Sequence, residues 1–119
     1  MAALKLSEKQ AQGRDWEQTA LRYLRRHGLV LVAANFTCKG GEIDLIMRDG
    51  ESLVFVEVRQ RADRRHGGAA ASITPQKIRR LVKAAQVYLQ RLPHVPPCRF
   101  DVVAIDGEQL EWLRDAIQV

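Results

Sequence analysis

The sequence predicts an α/β fold: a mixed β-sheet flanked by helices, with elements in the order α-β-β-β-α-β. Three observations carry this. Two stretches repeat apolar residues at helical spacing, one ending at Gly28 and one beginning at Pro75. Short β-branched or apolar runs lie between and after them, and an Asp-Gly step joins two of these runs. Helices interleaved with strands imply a sheet with helices packed on it. The 119 residues suit one domain spanning 1–119.

The first helix opens at Ser7, whose spacing to Gln10 is that of a capping box. Trp16, Ala20, Tyr23, Leu24 and His27 recur on one helical face. Gly28 is placed to end the helix in a left-handed conformation. Leu29 to Ala34 then reads as a strand. Glu42 to Arg48 is a second, and Leu53 to Val58 a third, apolar enough to be covered on both faces. Asp49-Gly50 between them predicts a two-residue turn with positive φ at both positions. In that register Arg48 faces Glu51, Glu42 faces Glu57 and Asp44 faces Phe55. Glu42, Asp44, Glu57 and Arg59 then share one face, with Asp44 and Glu57 as diagonal neighbours.

Gln60 to Ser72 is a long connection rich in Arg, Gly and Ala, of a length that tends to be functional or mobile. Thr74-Pro75 supplies a helix cap and a proline at the first helical position. Ile78, Leu81, Val82, Ala85 and Leu89 form one apolar stripe, with Arg79, Arg80 and Lys83 off it. Pro93, Pro96 and Pro97 end the helix. Phe100 to Ile105 is a strand, Asp106-Gly107 a turn, and Leu110 to Leu113 a short edge strand.

The formal charge is +5, unevenly spread. Residues 1–60 carry nine Lys/Arg and eight Asp/Glu, residues 61–98 eight and one, and residues 99–119 two and five. Basic charge concentrated in one segment points to a polyanion partner, because Lys and Arg that neutralise phosphates release counterions; a solvated basic helix face is the alternative. No apolar run reaches the ~18 residues of a membrane span, and Met1 to Gln10 has no signal-peptide core. A cytoplasmic location without membrane association is expected. Cys38 and Cys98 form no zinc motif and are read as reduced thiols. His27, His66 and His94 form no ligand set.

The acids carry the chemistry. Carboxylates among Ile46, Leu53 and Phe55 lose hydration and need a compensating cation, either a metal ion or Lys/Arg. Glu17 lies at the edge of the first helix's apolar stripe, where it either points toward the sheet or pairs with Arg14 or Arg25. Two or three carboxylates beside a cationic side chain suit Mg²⁺ and phosphodiester chemistry.

Gly41-Glu42-Ile43-Asp44-Leu45-Ile46, then Phe55-Val56-Glu57-Val58 and Arg61, resemble the signature of the YraN-like family of small bacterial proteins. The likeness extends to Gly13, Glu17, Asn35, Gly67, Lys77 and Arg99-Phe100-Asp101-Val102. That family resembles the PD-(D/E)xK nuclease superfamily, near the archaeal Holliday junction resolvases. The resemblance implies a restriction-endonuclease-like core, with Glu17, Asp44 and Glu57 holding Mg²⁺ or Mn²⁺. It also points to a homodimer, since such resolvases pair.

One position departs from the pattern: Arg59 stands where the family has lysine. Arginine stays protonated and cannot take a proton from water, although it can stabilise a phosphate electrostatically. Lys77, at the end of the long loop, is a candidate to take over the cationic role, against the reading of a solvated lysine. Arg61, Arg64 and Arg65, with Arg79, Arg80 and Lys83, are the candidate nucleic-acid contacts. Three readings follow: a metal-dependent nuclease acting on branched or flapped DNA, a nuclease-fold nucleic-acid-binding module with weakened chemistry, and a protein-interaction domain whose acids form an internal ion-pair network.

Overall fold

The computed structural model describes residues 16–61 and 73–118, with the backbone alone described at Arg61. Ser7, Gln10 and Gly13 lie outside the described residues. Residues 16–26 form helix α1. Strands β1 (Val30–Cys38), β2 (Gly41–Asp49) and β3 (Ser52–Arg61) follow, then helix α2 (Pro75–Leu89), β4 (Cys98–Asp106) and β5 (Gln109–Leu113). The five strands form one sheet in the order β1-β2-β3-β4-β5. Only β3 and β4 run parallel, and α2 is the crossover between them. This is the α/β mixed sheet flanked by helices that the sequence predicts, with the edge strand at the C-terminal side in place.

Alternation along β3 divides the core into two layers. Val54 and Val56 pack with Ala20, Leu21 and Leu24 of α1, while Leu53 and Phe55 pack with Leu81, Ala84 and Ala85 of α2. The sheet is therefore covered on both faces, which explains the nearly unbroken apolar run of β3. Among the described residues, no helix is long and apolar enough to cross a membrane.

Local chemistry sets the helix ends. Gly28 closes α1 with φ of 93°. The Thr74 side chain accepts a hydrogen bond from Lys77 N at 3.1 Å, with Pro75 opening α2. The start of β2 seats α2: a Cβ at Gly41 would overlap the Arg80 carbonyl oxygen and lie 2.9 Å from Ala84 N.

The β2–β3 hairpin departs from the expected register. Asp49 pairs with Ser52, Arg48 with Leu53 and Ile46 with Phe55, so the two-residue loop is Gly50-Glu51. Gly50 has φ of 61°, and Glu51 keeps a negative φ. Placing glycine first requires positive φ of glycine alone, whereas an Asp49-Gly50 loop would also require it of Asp49. Asp49 is free instead to pair with Arg99, 3.0 Å away on β4. Moving the loop by one residue shifts facing partners by two, so each side chain keeps its face. Asp44 now falls in line with Glu57, rather than with Phe55.

A second irregularity lies in β1 and β2. Ile43 packs on the α2 side and Leu45 on the α1 side, although residues two apart in a regular strand share a face. Across β1, Ala33 and Phe36 both pack on the α2 side although three apart. The backbone turns over between them. Asn35 stands there with φ of 54°, flanked by the pairs Ala34–Leu45 and Phe36–Ile43, and so opposite Asp44.

Candidate functional site

Four elements converge where β2 and β3 part. The ladder between them ends at Leu45–Val56. Beyond it, Val58 N donates to Asp44 Oδ2 at 2.8 Å instead of to a carbonyl. The turnover in β2 aims Asp44 into this opening, where α1 brings Glu17 and β3 brings Glu57. Glu17 and Glu57 both neighbour Asp44, closely enough for its charge to raise each of them. Carboxylates this close disfavour one another's charged form.

Burial and crowding raise all three acids above their ordinary values. Glu17 is raised first by burial and then by the charge of Asp44, against an Asn35 hydrogen bond that acts the other way. Burial also raises Asp44, partly offset by the Val58 N–H and the Lys77 charge. Glu57, only 1% exposed, is pushed up to about 7 by burial and then by Asp44, with Lys77 and Arg59 opposing. Among the described residues, Glu57 Oε2 is buried without a hydrogen-bond partner.

The cations come from α2 and β3. Lys77 Nζ lies 3.5 Å from Glu57 Oε1 and 3.4 Å from Glu42 Oε1. Arg59 reaches the same Glu57 oxygen at 3.8 Å. Arg80 approaches Glu42 Oε1 at 3.9 Å. Farther along α2, the Lys83 stem lies beside Gly40, whose added Cβ would be 3.7 Å from Lys83 Cγ. Lys77, Arg80 and Lys83 thus line the side of α2 that faces the β1–β2 turn. Arg79 is exposed, and among the described residues no contact ties it to that line.

The donor set suits a hard divalent cation. Asp44 and Glu57 offer carboxylate oxygens, one of them buried and unpaired, in a site that already raises the cost of their negative charge. Among the described residues, no three acidic, histidine or cysteine side chains converge as a ready-made cage. The fit therefore rests on Asp44 and Glu57 as a pair, which is the usual Mg²⁺ arrangement, with water and substrate phosphate completing the shell.

The family model described as "Uncharacterised protein family UPF0102" matches residues 16–105, which include every element of this site. The chain belongs to the UPF0102 family. It is 58% identical over 110 residues to the UPF0102 protein of Herminiimonas arsenicoxydans, covering 92% of this chain and 89% of the relative. It is 62% identical over 110 residues to that of Cupriavidus taiwanensis, covering 91% and 83%. The YraN-like resemblance of the motifs leads to this same family.

In this UPF0102 chain Glu17, Asp44, Glu57, Arg59 and Lys77 are brought together. Arg64 and Arg65 lie outside the described residues, as does the side chain of Arg61. Two residues noted in the sequence, Glu42 and Asn35, acquire their roles only in the structure. Strand alternation puts Glu42 on the acid face, but its role as second partner of Lys77 depends on where α2 is seated. With its amide turned so that nitrogen faces the carboxylate, Asn35 donates to Glu17 Oε1 at 3.0 Å and Oε2 at 3.3 Å. Its signal in the sequence is the residue type: Asn is the side chain that tolerates a left-handed backbone inside an otherwise apolar strand.

Proposed function

We propose that this protein is a metal-dependent nuclease that hydrolyses phosphodiesters in branched or flapped DNA. The observation that carries this reading is the Lys77 ammonium 3.5 Å from Glu57. It supplies the cation beside the two carboxylates, a place where the chain carries Arg59 in β3. Asp44 and Glu57 would hold Mg²⁺ or Mn²⁺, with Glu17 as a third acid beside Asp44. A divalent ion so held polarises a phosphodiester as a Lewis acid. Lys77 and Arg59 face the same opening and can stabilise the extra negative charge of a pentacovalent phosphate. Arg80 and Lys83 extend positive charge away from the site, where a nucleic-acid backbone would be held without reading its sequence. Three crowded carboxyls with raised pKa values and a buried, unpaired oxygen support a functional role for the cluster.

Cleavage of a fluorescent four-way junction or flap in Mg²⁺ or Mn²⁺ tests this. Wild-type cleavage that disappears in Asp44→Ala is the expected result, and no cleavage of either substrate overturns the reading. A second reading, a nucleic-acid-binding module without turnover, is favoured by Arg59 at the position of the family's lysine. Salt-sensitive junction binding with no cleavage in either metal would establish it. A homodimer and a cytoplasmic location accompany the first reading as proposals.

A further inference from the structure

We propose that Asn35 is a positioning residue that holds Glu17 against Asp44 in the divalent-cation site; the inference rests on the metal reading of that site. The backbone supplies the first reason. Asn35 has φ of 54° within β1, a conformation that side chains other than glycine rarely adopt. A strand has no need of such a residue for pairing, and the β1–β2 ladder gives no partner pair at Asn35 and Asp44. Strain of this kind persists where surrounding structure enforces it, commonly beside functional groups.

The second reason is what the turnover achieves. It acts in both strands at the same level. In β2 it releases Asp44 into the opening beside Glu57, and in β1 it turns Asn35 toward α1. There the amide donates to both oxygens of Glu17, at 3.0 and 3.3 Å. Glu17 meets a repelling neighbour in Asp44 and is partly buried, so a free Glu17 would swing toward water. Two donor contacts from one amide fix the carboxylate plane and leave lone pairs on each oxygen for a cation or its water. Asn35 touches neither of the two paired ligands Asp44 and Glu57 directly in this role; it acts through Glu17, as outer partners of metal ligands do.

Asn35→Gly separates backbone from amide, because glycine accepts the positive φ while the donor is removed. Mn²⁺ binding is measured by electron paramagnetic resonance and unfolding by heat, for wild type and Asn35→Gly. The expected result is a melting temperature close to wild type for Asn35→Gly, with Mn²⁺ bound about 10- to 100-fold more weakly. In a Glu17→Ala background, Asn35→Gly should cause no further loss. Wild-type Mn²⁺ affinity in Asn35→Gly, or a loss that persists undiminished in the Glu17→Ala background, overturns the positioning role alone. A wild-type protein that binds no Mn²⁺ overturns the metal reading and this role together.

Discussion

Lys77 Nζ sits 3.5 Å from Glu57 Oε1, joining the first turn of α2 to the third strand across the long connection. A lysine in a helix's first turn opposes the helix dipole, which favours anions there. Its place is compensated by two carboxylates, Glu57 and Glu42, rather than by anything in α2, whose first turn has no acid. Lys77→Ala is therefore expected to lower junction cleavage by about 10²- to 10³-fold, the range for losing one preorganised electrostatic group. Lys77→Arg should retain part of the activity, since the charge stays. Single-turnover cleavage rates distinguish the three proteins, and an unchanged rate in Lys77→Ala would remove the lysine from the mechanism.

Glu57 predicts a pH-dependent stability of defined sign. Its carboxyl is pushed up to about 7 in the folded protein from an ordinary 4.5. The folded state holds this proton more tightly than the unfolded chain, so the stabilisation is complete below about 4.5 and is lost as pH rises through about 7. The shift corresponds to roughly 3 kcal/mol at alkaline pH. Glu57→Gln has no proton to lose and should exceed wild type in stability at pH 8 by up to that amount, while matching it near pH 4. Urea unfolding at the two pH values measures the difference; a gap that does not change with pH would contradict the assignment. In the proposed metal site, Mg²⁺ at pH 8 should stabilise wild type and leave Glu57→Gln unmoved.

Much of this is legible in the residues because the physics is local. Gly28 and the Thr74-Pro75 pair mark helix ends through backbone conformation and capping, each readable without a neighbour. The side of the hairpin residues from Leu45 to Val56 is also robust, since an error of one residue in loop placement shifts partners by two, whereas the turnover at Asp44 breaks the alternation before Leu45. What local sequence does not supply is the competition that places the loop. Asp49 is held outside it by Arg99, a residue about fifty positions away. The role of Asn35 is hidden for a similar reason. Its turnover makes sense only once Glu17 and Asp44 are both on the far side of the strand, and no local periodicity announces that.

Gly41 couples packing to the site. Any Cβ there meets the Arg80 carbonyl oxygen and Ala84 N, both backbone atoms of α2 that cannot rotate away. Gly41→Ala must push α2 off the sheet, and Lys77 moves with the helix. The expected outcome is a loss of about 1–3 kcal/mol in unfolding free energy together with slower cleavage. Urea unfolding and junction cleavage on the same preparation test the coupling. Normal stability in this variant would mean that α2 sits less tightly on β2 than the geometry requires.

Asp101 anchors the other layer. It is fully buried, yet accepts from Arg99 Nε at 3.0 Å, Trp112 Nε1 at 2.9 Å and Asp115 N at 2.9 Å. These bonds tie β4 to β5 and to the turn after it. Arg99 keeps Asp49 as a partner, 3.0 Å away, so the loss falls on the buried hydrogen bonds of Asp101, and Asp101→Asn should cost about 1–3 kcal/mol. Denaturant unfolding followed by tryptophan fluorescence measures this, and a loss below about 1 kcal/mol, the scale of an exposed pair, would show the network to be dispensable.

The basic residues of α2 do not stand on equal terms. Lys77, Arg80 and Lys83 follow one another along the side of the helix facing the β1–β2 turn, with Arg80 beside Glu42 and Lys83 beside Gly40. Arg79 is exposed, and among the described residues no interaction places it on that line. If a DNA backbone follows the line away from the acids, Arg80 and Lys83 meet phosphates and Arg79 does not. Each Lys or Arg withdrawn from a phosphate flattens the dependence of log affinity on log salt by about 0.9 for duplex DNA. Arg80→Ser and Lys83→Ser should each weaken junction binding and reduce that slope, whereas Arg79→Ser should leave the slope near wild type. Fluorescence anisotropy across a salt series, in Ca²⁺ to prevent turnover, reads all three slopes. Equal reductions from the three substitutions would place the backbone across the helix rather than along it, and no reduction from any would put the nucleic acid on another face.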